Sequence, residues 1–113
     1  MQPANILVAD DDAVARDLLA EALKKEGYAV EAFASGEEVI ARGRLGRVDL
    51  VLTDIRMGAV DGLMVLREFK RMSPDTEVVV LTSFGSLEGA IEAIKQGAYD
   101  YLAKPFKKED IKL

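Results

Sequence analysis

The chain is 113 residues long, half of them hydrophobic and 31% charged, which fits one globular domain spanning 1–113 and leaves no length for a second core. Fifteen Lys and Arg stand against 20 Asp and Glu, a net charge of −5, so the balance argues against a direct nucleic-acid or acidic-membrane surface. With no Cys and no His, disulfide frameworks, thiolate nucleophiles, imidazole bases and histidine metal ligands are excluded.

Ile6 to Ala9 is a continuous apolar run and reads as a strand rather than as part of a leader. No apolar run approaches the roughly 20 residues of a membrane span, so a cytoplasmic domain is expected. A helix follows between Asp12 and Gly27, with Val14, Leu18, Ala22 and Ala15, Leu19, Leu23 as its apolar stripe. Ala29 to Phe33 alternates, as an edge strand does. Ser35-Gly36-Glu37-Glu38 has the form of a capping box, opening a helix that Gly43 and Gly46 should keep short, weak and mobile. Leu50 to Thr53 is a third strand, and Asp61 caps a third helix whose Leu63, Leu66, Phe69 and Met72 are expected to face inward. Val78 to Leu81 makes a fourth strand, followed by a helix carrying Leu87, Ile91, Ile94 and Ala98 and stopped at Gly97. Tyr99 to Leu102 is a fifth strand of apolar character, and a last helix barely begins over 107–113. Repeated β-α units of this length join parallel strands by right-handed crossovers, which gives an α/β doubly wound five-stranded parallel sheet with its final helix truncated.

Ligands of such sheets bind beyond the carboxyl ends of the strands. There the first strand delivers Asp10, Asp11 and Asp12, the third Asp54, the fourth Thr82 and Ser83, and the fifth Lys104 and Pro105. Carboxylates about 5 Å apart repel by on the order of 3 kcal/mol at an effective dielectric near 20, so stability alone would not assemble them. A hard divalent cation offsets that repulsion, and all-oxygen ligation suits Mg²⁺. The chemistry such a site supports is attack of an Asp carboxylate on a phosphoryl group, with Lys neutralising charge on the transferring oxygens. Asp54, rigidly held after a buried strand, is the expected nucleophile, and Asp10 with Asp11 the expected metal holders.

Taken one by one, these residues have plainer readings. Asp12 is a helix cap, and Asp10 and Asp11 could extend it. Asp54 could be a turn acid, Lys104 a solvated lysine and Thr82 strand continuation. Tyr101 could be core or edge packing, and Met57, Met64 and Met72 read as packing residues. The joint spacing outweighs the single readings for the rim residues.

The segments Ile6-Leu7-Val8-Ala9-Asp10-Asp11-Asp12, Leu52-Thr53-Asp54-Ile55-Arg56-Met57, Asp61-Gly62, Leu81-Thr82-Ser83 and Gly97 to Phe106 together resemble the receiver domain of bacterial two-component response regulators. The resemblance covers essentially the whole chain and is nearest the nitrogen-regulator type of enhancer-binding activator. It implies strand order 2-1-3-4-5 and Asp54 as acceptor of a phosphoryl group from a sensor histidine kinase. It implies metal ligation by Asp11, Asp54 and the main-chain carbonyl of Arg56, with Asp10 acting through water. Thr82 and Tyr101 would be switch residues, Lys104 the phosphoryl-contacting cation, and the bond before Pro105 cis. The fourth-helix region with Lys104, Lys107 and Lys108 would make partner and homodimer contacts. Relatives of this type attach an AAA+ ATPase and a DNA-binding domain, so the chain looks like a receiver excised from a larger regulator of transcription. The family commonly has Pro after the motif Met; here Gly58 stands there, which frees the loop's φ angle. The competing reading is a Mg²⁺-dependent phosphohydrolase with an aspartyl-phosphate intermediate, for which no cap domain is available at this length. A flavin-binding module would need a hydroxyl- and glycine-rich phosphate loop where this chain has three acids.

Overall fold

A computed structural model describes residues 3–83 and 87–104. Strand β1 (Asn5–Ala9), helix α1 (Ala13–Lys25), β2 (Ala29–Phe33), α2 (Gly36–Gly43), β3 (Leu50–Asp54), α3 (Gly62–Met72), β4 (Glu77–Thr82), α4 (Leu87–Lys95) and β5 (Asp100–Ala103) follow in order. All pairings are parallel and the sheet order is β2-β1-β3-β4-β5, as expected. The truncated last helix, the Pro105 bond, Lys107 and Lys108 lie outside the described residues.

Alternation along the central strands divides the core. Ile6, Val8, Leu52, Val79 and Leu81 pack under Leu19 and Leu23 of α1. Leu7, Ala9, Val51, Val78 and Val80 pack on the opposite face against Val39 of α2, Val65, Leu66 and Phe69 of α3 and Ala93 of α4. Covered on both faces, β1, β3 and β4 read as unbroken apolar runs for that reason. β5 is the second edge strand, as the sheet order implies, with Asp100, Tyr101 and Ala103 exposed.

The helix ends follow from their side chains. Asp12 Oδ1 accepts from the Val14 N–H at 3.0 Å and Asp61 Oδ1 from the Met64 N–H at 2.9 Å, each satisfying a donor that the helix itself cannot. Ser35 Oγ accepts from the Glu38 N–H at 3.2 Å and donates to the Glu38 carboxylate at 3.1 Å. Gly27 and Gly97 take φ +98° and +105° after α1 and α4, where a Cβ would be strained.

Two helix faces differ from the apolar stripes. α1 turns Leu19, Ala20 and Leu23 inward and leaves Val14 78% and Leu18 44% exposed. α4 buries the small Ala90 and Ala93, with Ala98 just beyond it, while Ile91 and Ile94 stand half exposed. Alanines let that helix sit close to the sheet, so volume at the contact rather than hydrophobicity decides the face. In α3, Val65, Leu66 and Phe69 are buried, with Leu63 and Met72 partly so. Met57 is packed as expected, whereas Met64 is exposed.

The glycines of α2 act through packing as well as through weak helix propensity. A methyl group on Gly43 would lie 2.6 Å from Met72 Cε and closer still to the Phe69 ring. Gly43→Ala is therefore expected to destabilise the domain by about 1–3 kcal/mol, although propensity alone favours Ala by up to ~1 kcal/mol. Urea unfolding gives the sign, and a stabilised variant would show that the ring and thioether yield.

Candidate phospho-acceptor site

Parallel strands end together, and the carboxyl ends of β1 and β3 place three acids on one rim. Asp10, fully buried, and Asp11, exposed, follow β1, and Asp54 closes β3. One carboxylate oxygen from each lies within 4.8 Å of the others. At that spacing each pair of full charges repels by on the order of 3 kcal/mol at an effective dielectric near 20.

Lys104 answers this charge from beyond β5. Its Nζ lies 2.6 Å from Asp10 Oδ2 and 3.0 Å from Asp54 Oδ2, with the side chain only 17% exposed. The backbone N–H of Lys104 is tied to the Thr82 carbonyl at 2.6 Å. Asp54 Oδ1 accepts from the Arg56 N–H at 3.2 Å, and Asp10 Oδ1 from the Asp12 N–H at 3.0 Å. Asp10 Oδ2 is buried without a hydrogen bond of good geometry and has the Lys104 ammonium as its ion-pair partner. A buried, under-satisfied carboxylate oxygen beside two further carboxylates is the donor set a hard divalent cation requires.

Burial pushes the Asp54 carboxyl above its ordinary value, and the Asp10 charge adds to the rise, while Lys104 and the Arg56 N–H oppose it. Burial works against the Lys104 ammonium, but its contacts with Asp10 and Asp54 prevail and raise its pKa.

The approach of α3 fixes the acceptor's main chain. The Gly62 N–H donates to the Ile55 carbonyl at 2.8 Å, and the Ile55 N–H to the Leu81 carbonyl at 3.1 Å. A methyl group on Gly62 would lie 2.8 Å from Ile55 Cα and nearer still to the Asp54 carbonyl oxygen, so only glycine permits this contact. Between them Gly58 takes φ +56°. The loop's glycine thus uses its freedom for a left-handed turn that Pro, held near −65°, could not adopt, and Gly58→Pro would rebuild the loop rather than merely stiffen it.

Thr82 is buried at the end of β4, one residue past Leu81, the register partner of Asp54. Arg56 is exposed in the loop after β3. Tyr101 sits on the edge strand β5, 43% exposed. Sequence reasoning missed Arg16: half-buried on α1, it donates from Nη1 to the Asp10 main-chain carbonyl at 2.8 Å. Its signal was a cation four residues before Ala20, on the face that also carries Leu19 and Leu23.

A doubly wound sheet with carboxylates and a lysine at its carboxyl rim suits aspartyl-phosphate chemistry, and the comparisons with known proteins give the class. The chain matches the response regulator receiver domain over residues 6–113, and it belongs to that family. It is 43% identical over 101 residues to the transcriptional regulatory protein ZraR of Salmonella typhimurium, covering 89% of this chain and 23% of that one. To the DNA-binding transcriptional regulator NtrC of Proteus hauseri it is 39% identical over 106 residues, covering 94% and 22%. A crystal structure of a response regulator from Burkholderia pseudomallei, solved with a phosphorylated aspartic acid, calcium ion and citrate, superposes with a TM-score of 0.86 at 33% identity. That match covers 96% of this chain and 64% of the other. The chain thus spans less than a quarter of the curated relatives ZraR and NtrC. The family match leaves the phosphohydrolase reading without support.

The raised pKa of Asp54 has a definite sign for stability. The folded domain binds this proton more tightly than the unfolded chain, so ionising Asp54 costs stability at neutral pH, and that cost disappears as pH falls to the ordinary carboxylate value of 3.8. Asp54→Asn should unfold at higher urea than the wild type at pH 7, by on the order of 1 kcal/mol, and the gap should close below about pH 4. A gap that widens on acidification would reverse the assignment.

Proposed function

We propose that this domain accepts a phosphoryl group on Asp54 and passes the change to an attached output. The observation that supports the reading most directly is the meeting of Asp10, Asp11 and Asp54 with the Lys104 ammonium at one rim. The donor is a phosphohistidine on a separate sensor kinase, since this chain has no His. An Asp54 carboxylate oxygen attacks phosphorus, the P–N bond to the donor imidazole breaks with its electron pair, and an acyl phosphate remains on Asp54.

Asp10, Asp11, Asp54 and the Arg56 main-chain carbonyl would hold Mg²⁺. Bound there, the ion supplies charge neutralisation for the phosphoryl oxygens. Lys104, already paired with Asp54, exchanges a carboxylate contact for one to the transferred group. Thr82 offers a hydroxyl at the adjacent strand end, and its movement lets Tyr101 turn inward, which repacks the surface bearing Ile91 and Ile94. That surface then meets a partner or a second copy of the domain. By likeness to NtrC and ZraR, the output is control of transcription, through an ATPase and a DNA-binding domain in the complete cytoplasmic regulator. The phosphorylated aspartate and calcium of the Burkholderia relative support both acceptor and ion.

Incubation with a small phospho-donor and Mg²⁺ should add a single phosphate, labile to acid and base, as read by intact-protein mass spectrometry. Asp54→Ala should abolish labelling, and Lys104→Ala should slow it tenfold or more. Stoichiometric labelling of Asp54→Ala would overturn the assignment, and repeated turnover of an unrelated phosphomonoester would restore the hydrolase reading.

A further inference from the structure

Asp10 is held at every polar atom it has. Its N–H donates to the Phe33 carbonyl at 3.1 Å, its carbonyl accepts from Arg16 Nη1 at 2.8 Å, Oδ1 accepts from the Asp12 N–H at 3.0 Å, and Oδ2 lies 2.6 Å from Lys104 Nζ. The first of these is a main-chain contact that any residue type could make, and the third is a side-chain acceptor contact within the turn itself. The Arg16 contact is different, because a half-buried guanidinium has been turned back from α1 onto the turn that carries the acids. Had charge neutralisation been its role, Arg16 would face the carboxylates and compete with a cation for their lone pairs. It bonds to a main-chain oxygen instead, so it takes no lone pair from the exposed Asp11 carboxylate or from Asp10 Oδ2, which Lys104 approaches.

We infer that Arg16 is a positioning residue that locks the β1–α1 turn, so that Asp10 and Asp11 already face Asp54 when a divalent cation arrives. The inference rests on the reading of this rim as a Mg²⁺-assisted acceptor site. A charge-assisted hydrogen bond is about twice as strong as a neutral one, and ligands held in place before binding lose less freedom when the ion is taken up.

The two possible roles of Arg16 have opposite signs. Removing a cation beside a cation site tightens Mg²⁺ binding if Arg16 acts through charge alone, whereas removing a brace weakens it. Arg16→Met keeps the length and apolar stem without donor or charge. Its Mg²⁺ Kd, followed by NMR shifts of the Asp11 and Asp12 amides, should rise about tenfold, the lower end of what loss of an outer partner costs a metal site. Arg16→Lys, which keeps one donor and the charge, should stay within about threefold of wild type, because only one hydrogen bond is needed here. Hydrogen exchange of the Asp12 N–H without Mg²⁺ should quicken in Arg16→Met and not in Arg16→Lys.

An unchanged or tighter Kd in a folded Arg16→Met overturns the inference, as does unchanged Asp12 exchange. If Arg16→Met fails to fold, Arg16→Gln, too short to reach the carbonyl, carries the same expectations. If the wild-type domain takes up no Mg²⁺, the acceptor reading fails, and Asp12 exchange still decides whether Arg16 braces the turn.

Discussion

The Lys104 ammonium, set between Asp10 and Asp54, is the interaction on which the rim depends. Parallel strands bring their carboxyl ends to one side whatever residues occupy them, and here that geometry concentrates negative charge. Asp10 cannot escape it, because its side chain is fully buried and its main chain is tied to Phe33 and Arg16. One lysine therefore offsets two carboxylates while Asp11 remains open to solvent. The arrangement is stable enough to fold and is still short of positive charge.

The same lysine also joins separate strands. The Lys104 ammonium meets the ends of β1 and β3, and its backbone is fixed to Thr82 at the end of β4. The carboxyl ends of β4 and β5 thus feel any change at the end of β3 through one side chain and one main-chain bond. Of the exposed apolar residues, Tyr101 lies on β5, Tyr99 just before it, and Ile91 and Ile94 on α4, which links β4 to β5.

The sheet was legible in the sequence because burial on both faces leaves β1, β3 and β4 as unbroken apolar runs, and the caps were legible because Asp12, Ser35 and Asp61 are side chains with a local task. The faces of α1 and α4 were less so. Each carries more apolar positions than the core accepts, and only the three-dimensional fit decides that Leu19 and Ala90 go in while Leu18 and Ile91 stay out. β5 was legible as an edge only through the implied strand order, since its own short run does not tell edge from centre. At the rim, Asp10, Asp11, Asp54, Thr82 and Lys104 announced themselves by position at strand ends. Arg16 showed only as a cation on the α1 face that carries Leu19 and Leu23, since bonding to a main-chain carbonyl leaves no further mark in the residue types around it.

Gly62 has one further mechanical consequence. With no side chain between them, the first turn of α3 and the peptide bearing Asp54 touch as bare backbone, and nothing compressible separates the two. A displacement of that peptide would therefore meet the first turn of α3 with no side chain between them to absorb it.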